Sequence, residues 1–454
     1  MKSVFPKAKV RKMSKEFEDR LYLINNMIAA TPNTTRVVWN NPMGGALEWN
    51  RYPQNAIYDT KGELRWYMEP SRIYDPDNVY KAGIMMGFRQ NNDGAFTWGY
   101  GQRYVKYDLM GREVFNRRLP PNYADFSHAM MPAENGGYFL RVASPDLRRA
   151  DDTRVRTVRD VIIEVDASGE VVDEWRLFEI LDPNRNIVLK SIDQGAVCLN
   201  IDTSQSGKTL SAEQLAKLEA QHAFGDIAGT GAGRNWAHVN SVDHDPVDDS
   251  IILSSRHQSA VVKIGRDKQV KWILAAPNGW RDGLKDKVLT PVGKDGRPLS
   301  CRIGKCEGGF DWTWTQHTAW KIDELSKGDI VYVSVFDNGD GRAFVQPEDQ
   351  NEKYSRAVVY KIDQKAMTVE QVWEYGKERG HELYSPITSS VEYQADKNSV
   401  VVYWASIGTG SKTGPAPVLT EFRWGETKPA FEMHLKGGMG YRALPIDAQK
   451  AFVR

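Results

Sequence analysis

Six times along the chain, a run of alternating apolar residues ends in an acidic or polar turn, and a second run then closes on aromatic or apolar residues. The copies read AIYDTKGELRWYM (56–68), YVKYDLMGREVFNRRL (104–119), IIEVDASGEVVDEWRL (162–177), VVKIGRDKQVKWIL (261–274), VVYKIDQKAMTVEQVWEY (358–375) and LTEFRWGETKPAFEMHL (419–435). Apolar residues at every second position, split by a turn of Asp, Gly or Lys, are the pattern of a β-hairpin. Upstream of four copies lie two further strands joined by a polar turn: 128–143, 238–256, 317–335 and 389–406. A four-stranded unit cannot bury both of its faces alone, so neighbouring units must stack. The expected fold is therefore all-β, a six-bladed β-propeller. A sandwich of hairpins is the competing arrangement, and six similar units favour a closed ring. The first copy lacks an inner strand of its own. GYRALPID (440–447) follows the sixth hairpin and reads as one, so a C-terminal strand is expected to close the ring by joining the first blade.

The expected division is 1–34 as an N-terminal tail or the remnant of an N-terminal domain, and 35–454 as the propeller. Within the first part, 14–30 reads as a short amphipathic helix or a tail. Residues 1–24 are charged and lack an apolar stretch, so no export signal is expected there. Two insertions, 178–235 and 275–314, separate blades, and SAEQLAKLEAQHAF (211–224) has helical apolar spacing. Insertions of this kind sit on one face and often carry the site.

Charge and hydropathy exclude two partner classes. Lys and Arg number 60 against 59 Asp and Glu, a net charge of +1. That balance argues against the broad basic face of a nucleic-acid binder, so any anion site must be local. No apolar run approaches the ~20 residues that span a bilayer, so no membrane segment is expected. Of the three cysteines, Cys198 stands alone, while Cys301 and Cys306 bound one loop, CRIGKC. Their spacing allows a tight disulfide loop and equally two unpaired thiols. A zinc site would need two further ligands, and none lies at finger-like spacing.

Three inner strands begin FSHAMM, WAHVNS and TQHTAW, which places His128, His238 and His317 at one point of the repeat. Inner strands run along the central channel, so these side chains are expected to converge there. A lone histidine is most simply a satisfied polar residue; three in register are harder to explain that way. Such a cluster either binds a metal or does nucleophilic and acid–base work. Arg256, in SSRHQS, chooses between them if it faces the channel. Its fixed charge would repel a cation and offer a fork of donors to an anion such as a sulfate or phosphate ester. Asn240 lies two residues past His238, hence on the same side of a regular strand. Ser127 beside His128 is expected to point to the opposite face. Trp312 and Trp314 either wall a flat substrate or belong to the core. Thr388 and Ser389 start the sixth inner strand, and Tyr441 and Arg442 lie in the closing strand. GTGAGR (229–234) and SGKT (206–209) lack the strand–helix context of nucleotide-binding loops.

FSHAMMP (126–132), NWAHVNSV (235–242), ILSSRHQSAVVKI (252–264), CEGGFDWTWTQHTAW (306–320) and GYRALP (440–445) together resemble the arylsulfotransferase family of bacterial aryl-sulfate sulfotransferases, which use no nucleotide donor. The resemblance spans most of the chain. It implies a six-bladed propeller, a homodimer, a periplasmic home, and ping-pong transfer of a sulfuryl group from a phenolic sulfate to a phenol. It makes His317 the nucleophile that becomes transiently sulfated, with His128, His238 and Arg256 holding the sulfuryl oxygens. It makes Asn240, Thr388 and Tyr441 supporting contacts, and it pairs Cys301 with Cys306. The scheme requires no metal and no organic cofactor. A metal-dependent hydrolase and a non-catalytic binding propeller are the two other function classes that a channel-facing histidine cluster allows.

Overall fold

The computed structural model of the protein describes residues 5–29, 36–40, 46–50, 54–68, 86–124, 126–144, 160–183, 187–192, 236–345, 348–409 and 413–450, with 152, 185 and 213. The expected helix at 211–224 apart from Glu213, the two glycine-containing loops at 206–209 and 229–234, and Cys198 lie outside these residues.

The six hairpins form as expected, and each supplies the two outer strands of a blade. In blade 3, for example, Asp160–Val165 pairs with Val171–Arg176. Three of the turns share one construction. Asp59, Asp108 and Asp166 each accept an amide hydrogen bond from a glycine three residues on, Gly62, Gly111 and Gly169. Those glycines have φ of 79°, 77° and 98°, the left-handed geometry that a three-residue hairpin with a bulge requires.

Six sheets stand in a ring, and six apolar clusters fill the spaces between neighbours. Period-two alternation builds this arrangement. Ile251 and Leu253 of blade 4 pack toward blade 3, while Ile252 between them packs toward blade 5. Tyr22 and Ile24 of blade 1 face blade 6, while Leu23 faces blade 2. Because a cluster joins blades 6 and 1 just as the others join consecutive blades, the ring is closed.

The closing strand behaves as expected: Ala443–Pro445 pairs with the strand Leu21–Ala29, Leu444 opposite Leu23. The N-terminus differs from expectation. Leu21–Ala29 is not a helix or tail but the second strand of blade 1, pairing with Gln54–Asp59. Lys7–Met13 adds a fifth, outermost strand to blade 6, against Phe431–Lys436. The propeller thus begins well before residue 35, and both ends of the described chain lock neighbouring blades. Among the described residues no helix is long and apolar enough to cross a membrane.

Candidate active site

The innermost strands are kinked where they meet the axis. His128, His238, Thr318 and Thr388 have φ of 67°, 48°, 57° and 57°, left-handed values that non-glycine residues adopt only when the surroundings hold them. A register shift accompanies the kink between His317 and Ala319, and another falls between Val239 and Ser241. Bulges of this kind re-aim side chains beside active sites.

The kinks bring His128, His238 and His317 together, but not from one repeat position. Asn240 faces Thr318, Ser241 faces Ala319 and Asp243 faces Lys321 across blades 4 and 5. His317 is therefore one residue out of the His238 register, with its left-handed neighbour after it, whereas His128 and His238 are themselves left-handed. The same kink overturns a second expectation. Ser127 does not point away from His128; its Oγ meets His128 Nδ1, because the pair is not part of a regular strand.

The rings of His128 and His238 lie 4.8 Å apart, and those of His238 and His317 6.5 Å apart. Tyr441 from the closing strand completes the circle, 6.0 Å from His128 and 6.3 Å from His317. Arg256 is fully buried and donates from Nη2 to the Pro386 carbonyl at 3.2 Å. Its charge is among those that disfavour protonation of all three imidazoles. Arg442 is also buried at the axis, donating to the Asn240 carbonyl at 2.7 Å. Burial above all, and then the surrounding charges, hold His128, His238 and His317 well below the usual imidazole range. The rings are thus neutral under two fixed cations. That pairing suits an arriving anion and nitrogen lone pairs. Among the described residues no three His, Cys, Asp or Glu side chains are grouped to hold a metal ion.

Asn240 turns its amide to the backbone, donating to the Gln316 carbonyl at 2.7 Å and accepting from the Thr318 amide at 3.2 Å. Thr388 spends its hydroxyl on the Ile387 carbonyl, while its backbone N–H points at His317 Nε2, 3.3 Å away. His317 Nδ1 meets Asn338 Oδ1 at 2.7 Å. Trp312 and Trp314 are core residues packed between blades 4 and 5, not walls of the site. Cys301 and Cys306 form a disulfide. The loop they close packs on the same core: a Cβ on Gly304, where φ is 71°, would stand 2.8 Å from the Trp314 ring, three residues before His317.

Two buried site residues carry no signal in the repeat pattern. His257 follows Arg256 in a short 3-10 turn, its ring tilted against that of His238 at 4.7 Å. Asn338 lies in DNGDG (337–341), which reads in isolation as a turn.

A family model described as Arylsulfotransferase (ASST) matches residues 7–442. Over 415 residues the chain is 48% identical to the arylsulfate sulfotransferase AssT of Escherichia coli O6:H1, covering 88% of this chain and 67% of the relative. It is 46% identical over 417 residues to the arylsulfate sulfotransferase AssT of Lelliottia amnigena, with the same coverage. Among solved structures, a Bacteroides caccae protein of unknown function aligns with a TM-score of 0.46 and 11% identity, over 94% of this chain and 98% of that one.

Proposed function

The chain belongs to the arylsulfotransferase family and is an aryl-sulfate sulfotransferase; on that premise we propose that it works by a ping-pong mechanism in which His317 carries the sulfuryl group. A phenolic sulfate enters between Arg256 and the three imidazoles. The lone pair on His317 Nε2, released from the Thr388 N–H that it accepts at rest, attacks sulfur, the bond from sulfur to the aryl oxygen breaks, and the phenolate leaves with the bonding electrons. A phenol acceptor then loses its proton, its oxygen attacks the same sulfur, and the sulfur–nitrogen bond breaks. Sulfuryl oxygens gather charge in both steps, and Arg256 with N–H groups of His128 and His238 stabilises it. The first phenolate leaves as the anion and takes its proton from solvent, and neutral His128 or His238 takes the acceptor's proton in the second step.

The observation that carries this reading is His317 itself: buried, neutral, and accepting the Thr388 N–H on Nε2, so that this nitrogen holds a lone pair. Asn240 supports it through the backbone on either side, Thr388 through its N–H, and Tyr441 as the edge of the ring. No step calls for a metal or an organic cofactor. The Cys301–Cys306 disulfide suits an oxidising compartment, which supports a periplasmic enzyme; a homodimer is what the family resemblance implies. The test is release of nitrophenolate from 4-nitrophenyl sulfate, with and without a phenol, in wild type and His317→Ala. Acceptor-dependent release that vanishes in the variant is expected. Repeated turnover without acceptor, beyond one nitrophenolate per site, would make the protein a hydrolase.

A further inference from the structure

We infer that Asn338 is a positioning residue that fixes which nitrogen of His317 is free to react, and that its being an amide instead of a carboxylate keeps that nitrogen unprotonated. This rests on the reading of His317 as the nucleophile. Asn338 is fully buried at the end of the blade 5 strand Ile330–Asp337. Its Nδ2 bonds two carbonyls, Ser385 at 2.6 Å and Thr388 at 3.1 Å. A carbonyl only accepts, so the NH₂ end must lie on that side and Oδ1 must face His317. Oδ1 in turn only accepts, so the nitrogen it meets at 2.7 Å, Nδ1, carries the proton. The lone pair is left on Nε2, where the Thr388 N–H points. One side chain therefore sets the tautomer of the nucleophile and anchors the residue, Thr388, whose N–H faces its reactive atom.

The choice of an amide matters because of what surrounds the ring. Arg256, Arg442, His257, His238 and His128 face His317 from the other elements packed against it, with Tyr441 at its edge. In many hydrolytic sites a carboxylate orients the histidine and stabilises the imidazolium that forms there. Here the histidine must attack as a neutral base, and a carboxylate on Nδ1–H would draw a second proton onto Nε2. An amide supplies the direction without the charge.

Two variants and one spectroscopic measurement test this in the full-length protein. ¹⁵N-histidine NMR of wild type, with the His317 signal identified by its loss in His317→Gln, should show Nδ1 protonated and Nε2 bare. Asn338→Leu should convert His317 to mixed tautomers and lower kcat about 10- to 100-fold with KM little changed. Asn338→Asp should move the acid limb of kcat/KM to higher pH. A bare Nδ1 in wild type overturns the inference without any variant having to fold. So does a pH limb unmoved in a folded Asn338→Asp, since a merely structural residue would lower the amount of active enzyme and leave the limb in place. If His317→Gln keeps transfer activity, the nucleophile assignment fails, while the NMR still decides what Asn338 does to the ring.

Discussion

The Asn240 side chain bonds the peptide groups on both sides of His317, donating to the Gln316 carbonyl at 2.7 Å and accepting from the Thr318 amide at 3.2 Å. Blade 4 thereby holds the bulge in blade 5 that aims His317.

Removing that clamp should therefore act through His317. Asn240→Ala leaves the buried Thr318 N–H unmet and the Gln316 carbonyl with the Ser254 hydroxyl at 3.5 Å, a cost of about 1–3 kcal/mol for the lost N–H bond. Thermal melts should show the destabilisation, and steady-state kinetics should show kcat falling with KM near wild type. A variant that loses stability but keeps kcat would place Asn240 outside the positioning of His317.

Arg256 should act on charge. Arg256→Ala is expected to lower kcat about 10²- to 10³-fold, the range for losing a preorganised donor to a developing anion. Arg256→Lys keeps the charge but not the planar fork, and should recover only part of it. Removing the cation also lifts a repulsion from all three imidazoles, so they should titrate at higher pH in Arg256→Ala by NMR.

The pH dependence follows from the neutral rings. A histidine in the unfolded chain titrates near ~6.5, and His128, His238 and His317 lie well below that when folded. As pH falls below about 6.5 the unfolded chain binds protons that the folded chain refuses. Stability should thus be intact above that pH and decline as pH falls further toward the folded values. Turnover of a good leaving group should have its acid limb below pH ~6.5 as well. Calorimetry and a kcat profile check both, and a limb above that value would contradict a nucleophile that is neutral at rest.

The disulfide should matter for its loop more than for the fold. Closing six residues is worth about 2 kcal/mol in chain entropy. Reduction, or Cys301→Ser with Cys306→Ser, should loosen the packing on Trp314 and lower kcat while the six-bladed ring survives. Proteolysis within the loop with retained circular dichroism would show this; global unfolding on reduction would contradict it.

The hairpins and the ring were legible because their alternation has one cause, burial on both faces between neighbouring blades. The N-terminal strands were not. Lys7–Met13 is an outermost strand with one face in solvent, so its charged residues mimic a tail. Leu21–Ala29 carries the polar pair Asn25 and Asn26, which breaks its alternation. Buried Asn25 donates to Asn55 Oδ1 at 2.8 Å, a partner that no local pattern reveals. At the site, His128, His238, His317 and Arg256 were readable because a repeat makes position meaningful. The one-residue offset of His317 was not, since a bulge changes register without changing the motif. Asn338 was invisible for a different reason: its partners are one ring and two carbonyls that only the fold brings near.

The central claim is that the sulfuryl group rests on His317. The direct measurement is to mix the protein with 4-nitrophenyl sulfate in the absence of acceptor, quench at neutral to alkaline pH, and map the modified peptide by mass spectrometry. One nitrophenolate per active site, and one SO₃ group on His317 that a phenol then removes, is the predicted result. No covalent group, or a group on another residue with His317→Ala still labelled, would contradict it.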